Sequence, residues 1–240
     1  MAYNINLLQR LKNIIPNHIQ PKFQYGKELL HWNYQEGILF SQKTIQENDK
    51  IKKKNILEKS GIRQLYLNCS FENYQIKNEK QKKIVKLSKQ YAKNFHNSFK
   101  NFIFLGTTGT GKNHLAAAIG NYLIEKGKKI LLITIADLMS NVKKTFNNNN
   151  KNFTEEKIIH YLSTVDLLIF DEIGIQTESK YEKIILHQII KRRYSCKKPI
   201  GILSNLFFPE LKKILGEQII DRINTNNSLV LYFTWNSHRK

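Results

Sequence analysis

Cysteine is nearly absent from this 240-residue chain: Cys69 and Cys196 lie far apart and have no metal-ligand spacing. That excludes a disulfide scaffold and a cysteine-based zinc site, and the pair reads as reduced thiols in a cytoplasmic protein. Long apolar runs are missing too. No stretch approaches the ~18 uninterrupted apolar residues of a membrane span, and the amino terminus shows no signal-peptide pattern, so no membrane partner is expected. Acidic residues are the third shortage: 19 Asp and Glu face 39 Lys and Arg, a formal net charge of +20. Such an imbalance draws a protein to polyanions, with nucleic acid the default partner. Of the positive charges 33 are lysine, and Asn and Ile are abundant, down to four consecutive asparagines at 147–150. These residues have A/T-rich codons, so part of the charge reflects coding bias and the rest is left for a binding surface.

The 41% apolar content suffices for one α/β core and a smaller appendage. Two motifs give that core a chemistry. Residues 106–113 read Gly-Thr-Thr-Gly-Thr-Gly-Lys-Asn, with the buried-strand pattern Phe102-Ile-Phe-Leu105 before them and a helix-favouring run after. Glycines let a backbone curl so that N–H groups face phosphate oxygens, and a lysine and a helix amino terminus add positive charge. The nucleotide-contact set therefore runs through Gly106, Thr107, Thr108, Gly109, Thr110, Gly111, Lys112, Asn113 and His114. Further on, the mainly apolar run from Val165 ends in Asp171-Glu172. A strand ending this way delivers Asp171 to a magnesium ion and Glu172 to a water. Either motif alone could arise by chance; together and in this order they indicate a nucleoside triphosphate with Mg2+, and hydrolysis of it. Asn113 stands where Ser or Thr usually offers a hydroxyl to the metal. Its amide oxygen can act as a hard ligand, directly or through water, with slow or conditional turnover the expectation.

Around these motifs the chain divides at about residue 60. Residues 1–60 read as a helical appendage: Ile5, Leu8, Leu11 and Ile15 recur at helical spacing, Leu7 and Ile14 widen the stripe, and Pro16 ends it. A second apolar group comprises Leu29, Leu30, Trp32, Tyr34, Ile38, Leu39 and Phe40. Sixty residues cannot bury all of this alone, so the segment either packs on itself or the core, or docks on another protein. Residues 41–60, with Lys52-Lys53-Lys54, read as a helical or flexible linker. Residues 61–240 form the core. It opens with a lead-in at 61–74 that covers the nucleotide base, and a helix over 76–97 with Ile84, Leu87, Tyr91 and Phe95 inward and Lys82, Lys86, Lys89 and Lys93 solvated. Strands are predicted at 101–105, 129–134, 166–171, 200–204 and 229–234, and helices at 112–126, 136–146, 154–163, 179–193, 209–215 and 217–224. That alternation is a five-stranded parallel sheet with helices on both faces, whose ligands bind at the carboxyl ends of the strands.

Two further polar residues bear on the site. Asn205 follows the strand Gly201–Ser204 and is either a simple turn residue or an amide that senses the γ-phosphate or holds the attacking water. Arg222, in a short helix whose isoleucines face inward, is either an arginine finger for a neighbouring subunit or a surface salt bridge with Glu217 or Asp221.

With phosphate loop, Asp-Glu strand end, polar sensor and late arginine in this order, the chain resembles AAA+ ATPases. More narrowly, it is similar to DnaC-type bacterial replicative helicase loaders over nearly its whole length. The runs that carry the likeness are Gly109–Ala118, Val165–Lys180 and Asn68–Tyr74, and the Lys112-Asn113 pair belongs to it. The resemblance implies that residues 1–60 grip a DnaB-type helicase hexamer while the ATPase core binds single-stranded DNA at replication origins. It makes Lys112 the phosphate lysine, Asp171 and Glu172 the metal and water carboxylates, Asn205 the sensor and Arg222 the finger in trans, with Arg239 a second phosphate-sensing arginine. DNA contact then falls to Lys143, Lys144 and Phe146 at one helix end and to Lys180 and Tyr181 after the Asp-Glu strand, lysines meeting phosphates and rings stacking on bases. Ordinary packing is the alternative for both rings.

One departure from the broad AAA+ pattern is expected. Only Trp235 to Lys240 follow the last strand, so the helical lid is missing, which implies a monomer that becomes oligomeric on a helicase scaffold and argues against a DnaA-like initiator. ATP would act as a hold-and-release switch, hydrolysed to ADP and phosphate weakly by the chain alone and faster with DNA and partner. The competing functions are an IstB-like transposition helper ATPase, and a basic nucleic-acid-binding protein whose nucleotide site is structural.

Overall fold

The computed structural model describes residues 26–97, 99–146, 154–174, 179–224 and 228–238. The apolar stripe of residues 5–15, the asparagine run at 147–150 and Arg239 lie outside them. The chain forms two compact units, Met1–Lys52 and Lys53–Lys240.

Helix α1 runs unbroken from Gly26 to Glu58, so the segment predicted as a helical or flexible linker is helical to within two residues of its end. No Gly or Pro interrupts residues 38–58, and Lys, Gln and Glu there lose little side-chain freedom in a helix. In the first unit Leu30, Tyr34, Ile38, Leu39, Phe40 and Ile45 are all exposed, while Trp32 is half-buried. In the second unit Ile56 and Leu57 pack on the core, and Ser60 ends the helix: its Oγ donates to Leu57 O and its carbonyl accepts from Leu132 N–H at 2.7 Å.

Helix α2 (Glu79–Lys93) is shorter than predicted at both ends, because the Asn78 side chain caps its start by accepting from Gln81 N–H and Asn94 caps its end. The strands β1 (Phe102–Gly106), β2 (Ile130–Thr134), β3 (Leu167–Asp171), β4 (Ile200–Ser204) and β5 (Leu229–Phe233) form one sheet in the order β2-β3-β4-β1-β5, every pair parallel. Between them lie α3 (Lys112–Glu125), α4 (Ile135–Phe146), α5 (Glu155–Thr164), α6 (Lys180–Ser195), α7 (Phe208–Leu215) and α8 (Glu217–Asn224). The five-stranded parallel sheet predicted from the alternation is the observed one.

Side chains alternate across the pleat. Phe102, Phe104, Leu203 and Phe233 join α2, α3 and the lead-in in one apolar cluster, while Ile103, Leu105, Phe170 and Ile202 join α4 to α8 in another. One buried cation was not foreseen. Arg193, in the last turn of α6, is 0% exposed and donates to Leu162 O, Val165 O, Asp166 O and Pro199 O at 2.6–3.4 Å. It binds the end of α5 to the starts of β3 and β4, and burial pulls its guanidinium down to about 9.

Candidate active site

The phosphate loop leaves the carboxyl end of β1 and runs into α3, whose first free N–H groups open onto the same space. Gly111 caps that helix with φ 93°, and a Cβ there would stand 2.6 Å from the Tyr74 ring, so both backbone and space require glycine. The loop is braced from behind. Thr110 O accepts from Tyr74 Oη at 2.9 Å and from Trp235 Nε1 at 3.0 Å, and Gly109 O accepts from the His238 backbone N–H at 2.8 Å. Burial pushes the Tyr74 phenol up to about 12, so it remains a donor.

Lys112 is buried, and its ammonium donates to Gly106 O at 2.6 Å, Thr107 O at 2.8 Å and Asn205 Oδ1 at 2.9 Å. Asn205 lies just past β4, the strand paired with β1, so the bond joins the loop to the next strand end. On β3, Asp171 Oδ2 accepts from Asn113 Nδ2 at 2.6 Å and Oδ1 accepts from the Glu172 backbone N–H at 2.8 Å. Burial first, and then the charge of Glu172, push the Asp171 carboxyl above its usual range, although both hydrogen bonds oppose the rise. A desolvated carboxylate beside a second one is a fitting place for a cation. Direct ligation through the Asn113 amide oxygen would need that amide turned over, because its nitrogen faces Asp171.

Glu172 is exposed and holds a left-handed φ of 60°. The chain beyond it is tied to β4, Ile173 N–H donating to Leu203 O and Ser204 Oγ donating to Ile173 O at 2.6 Å. Loop, Lys112, Asn113, Asp171, Glu172 and Asn205 line one cavity of about 410 Å3, completed by Tyr66, Tyr74, Gln75 and His238. This is within the roughly 300–1,000 Å3 of small-molecule sites. His114 lines it too, but its Nε2 is 2.9 Å from Asn73 Oδ1 and 3.0 Å from Ser70 O. Since Asn73 Oδ1 and Ser70 O are acceptors, Nε2 carries the proton and His114 latches the lead-in to α3.

Other expected residues lie elsewhere. Arg222 is outside the cavity lining; its Nη1 is 2.9 Å from His187 Nε2 on α6, while Glu217, one alternative partner, pairs with Lys212 at 3.0 Å. Lys143, Lys144 and Lys180 are exposed, and Phe146 is 63% exposed. The Phe146 and Tyr181 rings meet at 6.0 Å, with Tyr181 half-buried and its hydroxyl donating to Glu155 Oε2 at 2.5 Å. Packing thus accounts for Tyr181 more fully than for Phe146. Trp235, His238 and Ser204 were not anticipated; the only available signal was a tryptophan directly after the last strand, since Thr110, Gly109 and Ile173, to which they bond, lie 125, 129 and 31 residues away.

The profile of the IstB-like ATP binding protein family matches residues 31–240. The chain is 55% identical over 240 residues to the replicative helicase loader DnaC of Buchnera aphidicola subsp. Baizongia pistaciae, spanning 100% of this chain and 97% of that protein. The crystal structure of the DnaC helicase loader superposes with a TM-score of 0.62 at 23% identity, over 71% of this chain and 99% of that one. AMPPCP-bound DnaA from Aquifex aeolicus gives a TM-score of 0.59 at 20% identity, over 71% of this chain and 50% of that one. At such identities the two solved structures speak for the fold.

Proposed function

This chain belongs to the IstB-like ATP-binding family and, within it, to the DnaC-type helicase loaders, and from that premise we propose that it loads a DnaB-type replicative helicase hexamer onto single-stranded DNA with ATP as the switch. The observation that carries the reading is the cavity in which the phosphate loop, Asp171, Glu172 and Asn205 converge at the carboxyl edge of the sheet.

The residues divide the work as follows. Backbone N–H groups of residues 107–112 and the amino terminus of α3 hold the phosphates, and Lys112 supplies the cation. Because Lys112 already donates to Asn205, an arriving phosphate competes with that acceptor, and the event is felt at β4. Asp171 would hold the magnesium ion, which when bound neutralises phosphate charge. Glu172, exposed at the mouth, orients and deprotonates the attacking water. Arg222 serves a neighbouring subunit's nucleotide, in keeping with its place outside its own cavity. Lys143, Lys144, Phe146, Lys180 and Tyr181 contact DNA, and residues 1–60 dock on the helicase through the exposed apolar side chains of α1.

Native mass spectrometry of the full chain with the helicase of its own cell and ATP tests this. Helicase hexamers should carry several copies of the chain, and a Leu30→Asp/Tyr34→Asp/Phe40→Asp variant should bind nucleotide but lose the hexamer. Absence of any complex in every nucleotide state would end the loader reading and leave the transposition helper as the better one.

A further inference from the structure

Resting on the reading of Arg222 as a finger in trans, we propose that His187 is its positioning residue, and that α6 carries the DNA signal from Lys180 and Tyr181 to that finger.

The chemistry of the contact is specific. A guanidinium only donates, so His187 Nε2, 2.9 Å from Arg222 Nη1, must be the acceptor. The imidazole is then neutral, with its proton on Nδ1. A carboxylate in its place would cancel the arginine's charge and compete with any incoming phosphate; a neutral imidazole aims one guanidinium hydrogen without neutralising the cation. Glu217, a carboxylate on the same helix as Arg222, is engaged by Lys212 at 3.0 Å.

The placement of His187 supplies the coupling. It lies on α6 six residues after Tyr181, about 9 Å along the axis. At the start of that helix stand exposed Lys180 and the Tyr181 ring, which touches Phe146. Ile185, Leu186, Ile189 and Ile190 of α6 share one buried cluster with Ile219, Ile220 and Ile223 of α8. Two helices packed that closely shift together, so a displacement at the DNA-contacting end of α6 reaches the finger on α8 through packing and through the His187 acceptor. The same helix follows the strand that ends in Asp171 and Glu172, so one element bears on both halves of a composite site.

The test uses full-length chains on the helicase hexamer, with ATP hydrolysis measured with and without single-stranded DNA. His187→Leu keeps bulk and removes the acceptor, and His187→Gln restores an acceptor. Loss of this charge-assisted bond should cut DNA-stimulated turnover about tenfold in His187→Leu, with nucleotide affinity kept, while His187→Gln stays within about threefold of wild type. Mixing His187→Leu chains with Glu172→Ala chains should restore turnover, because the second chain offers a well-aimed Arg222 to the intact carboxylates of the first. Wild-type turnover in His187→Leu beside a dead Arg222→Ala variant overturns the role of His187 alone. Equal losses in the Leu and Gln variants, or no rescue on mixing, would make His187 merely structural and overturn it too. An unaffected Arg222→Ala variant removes the finger itself, and the inference with it.

Discussion

Two buried cations stand at opposite ends of the same sheet. Arg193, at the amino end, donates to four backbone carbonyls and is 0% exposed. Lys112, at the carboxyl end, donates to two backbone carbonyls and the Asn205 amide, and is 5% exposed beside a cavity of about 410 Å3. Both satisfy the rule that a buried charge must be hydrogen-bonded. What separates them is replaceability. The Arg193 side chain is closed off from solvent, so its bonds are architecture. Those of Lys112 border open space, so the exchange for phosphate oxygens that the proposed switch requires is open to them.

The contrast predicts opposite failures. Arg193→Leu should cost about 3–5 kcal/mol of folding stability, because it strands carbonyls from three segments, and should melt the chain before altering its chemistry. Chemical denaturation will show this, and a variant of near wild-type stability would refute the architectural role. Lys112→Ala should leave the fold close to intact, since water can enter and satisfy the freed carbonyls. It should lower ATP turnover on the helicase about 10²–10³-fold, the scale of losing one positive group from a transition state. Unchanged DNA-dependent turnover would remove the catalytic assignment. The smallest effect tests the site as a place of stored cost. The folded-state carboxyl of Asp171 lies above its unfolded value, so its ionisation opposes folding at higher pH, and that opposition vanishes as the pH falls below the ordinary carboxylate range. Asp171→Asn should therefore melt above wild type at neutral pH, with the difference closing toward about pH 4, although it no longer turns over ATP. A lower melting temperature at neutral pH would contradict the account.

The same pair shows what can be read in a sequence. The setting of Lys112 was legible because its backbone partners are local: Gly106 and Thr107 sit within six residues and backbone geometry sets the spacing, while Asn205 joins from 93 residues away. The strands were equally legible, since Phe102 and Phe104 face one cluster and Ile103 and Leu105 the other in simple alternation. Arg193 was not. An arginine in the last turn of a helix ordinarily compensates the helix dipole at the surface. Three of its four carbonyls come from residues 162–166, brought near only by tertiary packing. Arg222 shows an intermediate case: a helix bearing inward isoleucines was foreseen, but its His187 partner on α6 was not, because no local spacing links residues 35 apart.

The brace on Thr110 has a consequence in time. Its carbonyl is held by Tyr74, made before the loop, and by Trp235, made long after it. Both strands flanking β1 also come late, β4 at residue 200 and β5 at residue 229. A chain emerging from the ribosome has its phosphate loop in full by residue 113, yet waits another 122 residues for Trp235. At roughly 5–20 residues per second that delay is about 6–24 s. For most of that interval the loop lacks both neighbouring strands, and until its end it lacks the Trp235 half of its rear support. The fully braced phosphate loop is therefore among the last features the nascent chain acquires.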